Sequence, residues 1–139
     1  TIQAAILLEK LKIFPEEIIK RNEIANKYKN ELQGIFTLQQ IPNNYRSAWA
    51  QFSLMVKNFE GRKILMDFLL DKNIPTAIYY SIPLHLQKAF KYLEYKEGDF
   101  PISESISKRI FSLPMHPYLT DDNISNICDI LLSYEESGN

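Results

Sequence analysis

The first third of the chain places apolar residues at helical spacing. From Ile2 to about Lys12 they surround most of the circumference, which is typical of a helix that is buried on several sides. Phe14–Glu17 predicts the start of a second helix, because proline suits the first helical position and glutamates favour the positive end of the helix dipole. We expect this second helix to end near Gly34. Its predicted buried face contains Ile18, Ala25, Tyr28 and Leu32.

Strand and helix patterns alternate in the middle of the chain. Ala50–Val56 has apolar residues at every second position, which predicts a half-buried strand. Asn58–Lys72 returns to helical spacing. The predicted apolar side of this helix carries Ile64, Leu65, Phe68 and Leu69. Asn73–Pro75 breaks the helix, and we expect Thr76–Tyr80 to form a second strand.

A proline-bearing loop and two short helices are predicted next. The loop spans Ser81–Leu86, and a short helix is expected over Gln87–Tyr92. Gly98 and Asp99 then build a turn. Helical spacing after this turn predicts a helix over Ile102–Ile110.

The end of the chain predicts an extended segment and a final helix. The extended segment is Phe111–Pro114, and Thr120 can cap the helix that follows it. An apolar stripe at helical spacing marks the buried face of that helix, with Ile124, Ile127, Cys128 and Leu131. Helices and strands in this order predict an α/β (α+β layered) fold, in which helices pack on a short β-sheet.

Composition limits the classes of function. The 139 residues are the length of one domain, and 45% hydrophobic residues are enough to form a core. A net charge of −1 gives no general electrostatic reason to bind nucleic acid or an anionic membrane. The apolar run at the start is also much shorter than the roughly 20 residues that span a bilayer. We therefore expect a cytoplasmic domain with no nucleic-acid partner and no membrane attachment.

His85 and His116 are the candidate polar groups of two proline-bearing loops. Loops concentrate functional groups, but a histidine beside proline can also serve as a hydrogen-bonded anchor of its own loop, and we favour that interpretation. Neither histidine has Asp or Glu at metal-ligand spacing, so no metal site is predicted. Cys128 is expected to pack in the core, because a reactive thiolate needs exposure and positive neighbours.

Tyr79 and Tyr80 end the predicted second strand. Neighbouring residues on a strand point to opposite faces, so one tyrosine can pack while the other faces a cleft. A phenol in such a cleft can hydrogen-bond a sugar hydroxyl, stack on a base or simply fill space. Tyr79–Gln87 is therefore the best candidate ligand surface that the residues alone indicate.

An ordered set of motifs runs from about Ile2 to Leu132 and so covers nearly the whole chain. The motifs are Ile2–Leu7, Lys10-Leu11, Arg21-x-x-x-Ala25-x-x-Tyr28, Ile74–Thr76, Tyr80–Gln87, Gly98-Asp99-Phe100-Pro101-x-x-Glu104 and Ser112–Pro117. Together they resemble the small domain of the DegT/DnrJ/EryC1/StrS family of sugar aminotransferases, which depend on pyridoxal phosphate.

The resemblance implies the small C-terminal α/β domain of a type I aminotransferase fold, and residues 1–139 would form that domain. In this family a large α/β domain holds the cofactor. The enzyme transfers an amino group, usually from glutamate, to the keto carbon of a nucleotide-linked sugar. The cofactor is the electron sink, and a lysine forms a Schiff base with it and moves protons. The products enter surface glycans and related amino sugars, and the family works as a homodimer with active sites at the subunit interface.

The catalytic residues of the family do not map onto this chain. The Schiff-base lysine, the aspartate that pairs with the pyridine nitrogen and the main phosphate contacts belong to the large domain, upstream of Thr1. Ser105–Lys108 has a Ser-x-x-Lys spacing like that around the family's lysine, but it falls in a predicted amphipathic helix, and we interpret the match as coincidence. We therefore expect a fragment of a longer protein, with no catalytic or cofactor-binding residue and no activity of its own.

Substrate contacts are the role that the resemblance leaves to this chain. The family's pair before the proline loop is often His-Tyr and lies near the sugar nucleotide. Here Tyr80 keeps the phenol, while Tyr79 replaces the commoner histidine. His85 is the next predicted substrate-binding residue, as a group that orients the loop or the sugar, and Ser112 and His116 are expected to hold the second proline loop against the first. The alternative is a non-enzymatic binding or regulatory module that shares this domain.

Overall fold

The computed structural model describes residues 1–137, and this part of the chain combines four α-helices with one small sheet. The helices are α1 (Ile2–Leu32), α2 (Phe59–Asp71), α3 (Pro101–Arg109) and α4 (Asp121–Glu136). The strands are β1 (Thr37–Leu38), β2 (Phe52–Met55) and β3 (Ile110–Leu113). Two short 3₁₀ helices are Leu84–Leu86 and Lys88–Leu93. None of the helices in residues 1–137 has the length and apolar content needed to cross a membrane.

The sheet is antiparallel, and β2 lies between β1 and β3. Phe52 lies opposite Leu113, and Leu54 lies opposite Phe111, so four buried side chains share one face. The residues that follow Phe52 and Leu54 are only half-buried, which confirms the alternation predicted within Ala50–Val56.

The core lies between this face of the sheet and the helices α1, α2 and α4. Its fully buried large side chains are Tyr28, Leu32, Phe52, Leu54, Leu65, Leu69, Phe111, Cys128 and Leu131. The ring centroids of Tyr28 and Phe52 are 4.9 Å apart, which packs α1 directly on β2. Burial raises the pKa of the Cys128 thiol to about 12, in agreement with the packing role predicted for it.

The helix break predicted at Pro15 is wrong, because α1 continues through it as one helix. Pro15 has no N–H to donate to the carbonyl of Leu11, so the helix loses one hydrogen bond there. Every residue from Thr1 to Glu16 is exposed, so water can bond to that carbonyl. The apolar residues that we expected to be buried on several sides are more than half exposed in this chain, among them Ile2, Ile6, Leu7, Leu8 and Leu11.

The second predicted strand, Thr76–Tyr80, is also wrong, because only Ala77 pairs with the sheet. The N–H of Ala77 donates to the carbonyl of Ser112 at 3.2 Å, and the N–H of Ser112 donates back at 2.7 Å. In an antiparallel ladder the next hydrogen-bonded positions lie two residues away on each strand. On one side of the bridge these are Pro75 and Pro114, and neither has an N–H to donate.

The other side of this bridge is closed to pairing for a different reason. The position that would face Tyr79 is Ile110, and its N–H already donates to the carbonyl of Ile106 at the end of α3. The chain therefore leaves the sheet at Tyr79 and continues as a loop into the first 3₁₀ helix.

The helices α2 and α4 form where the pattern predicts them. Thr120 and Asn123 form a reciprocal capping box at the start of α4, with N–H to side-chain oxygen distances of 3.2 and 3.3 Å. In α2, Leu65 and Leu69 are buried as predicted, but Ile64 is 57% exposed. Adjacent helix residues point about 100° apart, so Ile64 cannot share the direction of Leu65.

We expect Leu65→Ala to lower the free energy of unfolding by about 2–5 kcal/mol, because the truncation leaves a cavity in a closely packed core. Ile64→Ala is the matched control in the neighbouring position, and we expect it to change stability by about 0.5 kcal/mol at most. Urea unfolding followed by circular dichroism measures both variants. Equal losses for the two would contradict the packing described for α2.

Candidate functional site

A groove of about 800 Å³ opens between the Tyr79–Gln87 segment and α3. One apolar wall contains Ile82, Pro83 and Leu84, and the other contains Phe100, Ile102 and Ile106. Among residues 1–137, Asp99 is the only charged residue that lines the groove. The groove is therefore an apolar channel with a few neutral polar groups and one carboxylate.

Tyr79 and Tyr80 both line this groove, and they are 41% and 69% exposed. Their rings contact each other edge to face, with centroids 5.8 Å apart. The expectation that one ring packs and the other faces a cleft is wrong, because this segment is not a strand. Neither phenol has a hydrogen-bond partner within residues 1–137, so both are available to a ligand.

The His85 side chain is turned away from the groove and is only 8% exposed. Its Nε2 lies 3.0 Å from Oε1 of Glu104, and its ring centroid lies 4.7 Å from that of Phe100. The structure therefore places His85 against α3, where it links the 3₁₀ helix Leu84–Leu86 to Glu104. Contact between His85 and a sugar stays a prediction.

Glu104 is the acceptor at the centre of this contact, and the sequence indicated it only as part of a family motif. Its carboxylate accepts the N–H of Gly98 at 2.9 and 3.0 Å and the N–H of Phe100 at 3.3 Å, in addition to the contact with His85. Desolvation raises the pKa of Glu104, but these hydrogen bonds outweigh it and hold the pKa below its ordinary value.

Ser112 holds the chain just before the two tyrosines. Its backbone bridge with Ala77 lies two residues before Tyr79, and its Oγ lies 2.8 Å from Oγ of Ser53 on β2. Ser112 therefore ties the start of the Tyr79–Gln87 segment to the sheet.

His116 lies apart from these residues and is exposed. Its Nδ1 accepts the N–H of Tyr118 at 3.3 Å, which is a contact within its own part of the chain. The second proline loop (Pro114–Pro117) is held by α1 instead, because Tyr28 donates to the carbonyl of Pro114 at 3.0 Å and Arg21 to that of Met115 at 3.1 Å.

Arg62 fixes the end of α3, and no motif in the sequence indicated it. Its Nη1 donates to the carbonyls of Ser107 and Ile110 at 2.6 and 3.2 Å. These carbonyls lie at the negative end of the α3 dipole, where a cation is favourable. Burial lowers the pKa of the Arg62 guanidinium. Arg62 thereby holds the wall of the groove that α3 supplies.

The groove does not fit the cofactor that the resemblance implies. A phosphate needs cationic side chains or free N–H groups at a helix N-terminus. No lysine or arginine lines the groove, and α3 begins with Pro101, which has no N–H. Lys108 is 59% exposed and lies 3.6 Å from Glu97, outside the groove. Residues 1–137 also contain no cluster of three or more His, Cys, Asp or Glu side chains that could hold a metal.

The lowered pKa of Glu104 predicts a pH-dependent contribution to stability. A carboxyl group with a depressed folded-state pKa stabilises the fold fully above its unfolded pKa, and this contribution disappears as the pH falls through the folded pKa. We therefore expect E104Q to be less stable than the unaltered chain at neutral pH and to approach it in acid. Urea unfolding between neutral and acidic pH measures the difference, with the exposed Glu97→Gln as control. A constant difference over the whole range would contradict this assignment.

Comparison with known proteins places the chain in one family. The DegT/DnrJ/EryC1/StrS aminotransferase family model matches residues 1–132. UDP-2-acetamido-2-deoxy-3-oxo-D-glucuronate aminotransferase of Pseudomonas aeruginosa is 38% identical over 133 residues, which are 94% of this chain and 35% of that protein. dTDP-3-amino-3,6-dideoxy-alpha-D-galactopyranose transaminase of Aneurinibacillus thermoaerophilus is 33% identical, over 96% of this chain and 36% of that protein.

The fold agrees with this result. A DegT DnrJ EryC1 StrS aminotransferase from Brucella abortus superposes with a TM-score of 0.86 at 42% identity, over 96% of this chain and 35% of that chain. The chain thus spans about a third of the length of the proteins it matches. The fold class expected from the resemblance is confirmed, and the chain belongs to the DegT/DnrJ/EryC1/StrS aminotransferase family.

Proposed function

We propose that residues 1–139 form the C-terminal small domain of a pyridoxal-phosphate-dependent sugar aminotransferase. The whole enzyme transfers an amino group from glutamate to the keto carbon of a nucleotide-linked sugar, for surface glycan or related amino-sugar biosynthesis. The observation that carries this proposal is the groove with its two unpartnered phenols, found in a member of an aminotransferase family. The relative from Pseudomonas aeruginosa is named for a UDP-linked 3-oxo sugar.

The groove suits one part of such a substrate. A sugar ring presents hydroxyl groups at its edge and C–H groups on its faces. Tyr79 and Tyr80 can donate or accept hydrogen bonds through their hydroxyls, and their rings can pack on C–H faces. The apolar wall of Phe100, Ile102 and Ile106 supports the same kind of packing.

The charged parts of the reaction require other residues. Among residues 1–137, Asp99 is the one charged residue that lines the groove. The diphosphate of the nucleotide and the cofactor phosphate therefore need cations from elsewhere. We place these cations, and the lysine that binds the cofactor, in the part of the enzyme outside this chain. The share of the relatives that this chain covers, about a third, supports this division.

A homodimer and a cytoplasmic location complete the proposal, and both come from the family resemblance and the composition. The exposed apolar residues in the first half of α1 support packing against another part of the assembly. This chain would then shape the substrate pocket and the interface, without transferring amino groups alone.

The decisive experiment uses the full-length protein with pyridoxal phosphate, glutamate and a UDP-linked 3-keto sugar. We expect one 2-oxoglutarate for each amino sugar, both detected by mass spectrometry. Borohydride reduction followed by peptide mapping should place the cofactor on a lysine outside these 139 residues, and Lys108→Ala should retain activity. Cofactor bound stoichiometrically to Lys108 would overturn the proposed division of roles.

A folded full-length protein that binds no pyridoxal phosphate and forms no amino sugar would favour the alternative function, a non-enzymatic binding or regulatory module. Sugar-nucleotide binding without turnover that Tyr80→Phe weakens would then place its ligand in the same groove.

Tyr80→Phe removes one phenol hydroxyl and leaves the ring. Because a single hydrogen bond contributes about 1 kcal/mol, we expect the kcat/KM for the keto-sugar to fall roughly fivefold. The kcat/KM for glutamate should not change. Tyr92→Phe is the matched control, since Tyr92 is 74% exposed and lies outside the groove. Equal effects of the two variants would argue against a substrate contact at Tyr80.

A further inference from the structure

One buried carboxylate joins three segments of the chain. The Glu104 side chain, 10% exposed, belongs to α3. It accepts backbone N–H groups from Gly98 and Phe100, and so closes the turn that leads into the helix. It also contacts Nε2 of His85, which belongs to the 3₁₀ helix Leu84–Leu86 within the first proline loop (Ser81–Leu86).

This junction lies behind the groove. A hollow of about 160 Å³ is lined by Glu104 on one side and by Ser81, Ile82 and Pro83 on the other. Ile82 and Pro83 also line the groove that contains Tyr79 and Tyr80. The first proline loop therefore has the candidate substrate site on one side and the Glu104 carboxylate on the other.

The His85–Glu104 contact is the polar link between these two segments, alongside the ring contact of His85 with Phe100. Within residues 1–137, no other hydrogen bond or ion pair joins the Tyr79–Gln87 segment to the turn and helix from Lys96 to Arg109. The neighbouring charged groups Glu97 and Lys108 pair with each other and are largely exposed. Asp99 accepts the N–H of Lys96 within the turn itself.

We propose that Glu104 is a positioning residue for the sugar substrate, because through His85 it sets the separation between the loop that follows the two tyrosines and α3. This inference rests on the proposed function, and it assigns Glu104 no contact with substrate or cofactor. Replacement of Glu104 leaves two backbone N–H groups and an imidazole without their acceptor, so the loop and helix can move apart. A displacement of about 1 Å in a binding group is enough to reduce turnover strongly.

Separate measurements of the glutamate half-reaction and of the reaction with the keto-sugar distinguish this role from a general loss of structure. In the full-length protein we expect Glu104→Ala to lower kcat/KM for the keto-sugar by roughly 10-fold to 100-fold. The glutamate half-reaction, followed as 2-oxoglutarate release without sugar, should change by about twofold at most, since the proposed function assigns the two tyrosines to the sugar. Glu104→Gln keeps the shape of the side chain and one acceptor oxygen, so its effect should be intermediate.

A double-mutant cycle tests whether Glu104 acts through His85. If it does, the loss in His85→Ala combined with Glu104→Gln should be smaller than the product of the two single losses. Hydrogen exchange provides a readout that does not need turnover, and it should show faster exchange in residues 79–87 of Glu104→Gln, with α2 and α4 unchanged. Glu97→Gln, which removes an exposed carboxylate from the same turn, is the control and should behave as the unaltered protein.

The outcomes distinguish this inference from the proposed function. If the unaltered protein is active and Glu104→Gln has the same kcat/KM for the keto-sugar, the positioning role alone is overturned. Equal losses in both half-reactions, or faster exchange throughout the domain, would also overturn it, because they indicate a general structural role. If Glu104→Ala does not fold, Glu104→Gln decides. Absence of amino transfer in the folded, cofactor-supplemented unaltered protein would overturn the proposed function and this inference together.

Discussion

The pairing of β3 on both of its sides is the constraint on which the candidate site depends. One side of β3 pairs with β2 along its whole length, and the other side makes a single bridge from Ser112 to Ala77. α3 runs directly into β3, and the two tyrosines follow Ala77 closely. Both walls of the groove therefore begin at the same short strand, and the core beneath that strand holds them in place.

The core and the site follow different physical rules. Under the strand, Phe111 and Leu113 pack with Phe52 and Leu54, and this packing needs only apolar side chains of suitable size. Around the groove the walls are held by directional contacts to individual polar atoms, such as the Arg62 guanidinium and the Glu104 carboxylate. Such contacts require particular residues, because a buried donor or acceptor without its partner is costly.

The regular parts of this fold could be predicted from sequence because their signals are local. The alternation in β2 and the Thr120 cap of α4 lie within a few residues of the elements they specify. The two-residue strand β1 carries no such pattern and was not predicted. The loss of the strand after Pro75 could not be predicted, because it depends on Ile110, which would face Tyr79 across the sheet and whose N–H is already donated to Ile106.

The site shows the same limit. The tyrosines could be selected from the sequence as candidates, because the residue types and the family motif both indicate them. The partner of His85 could not, since Glu104 lies 19 residues away and meets it only after the second 3₁₀ helix and a turn. Pro15 shows that a local signal can also be wrong. Proline predicts a helix break, but in the exposed part of α1 it removes only one hydrogen bond, and the helix continues through it.

The continuity of α1 through Pro15 has a geometric consequence for the whole protein. Residues 2–14 extend about 20 Å at a rise of about 1.5 Å per residue, and they continue without a break into the buried part of the helix. An insertion or deletion of one residue there would turn everything beyond it by about 100° relative to the rest of the domain. The number of residues in this part of α1 therefore sets a rotation angle. That angle relates the direction in which the groove faces to the direction of the first turn of α1.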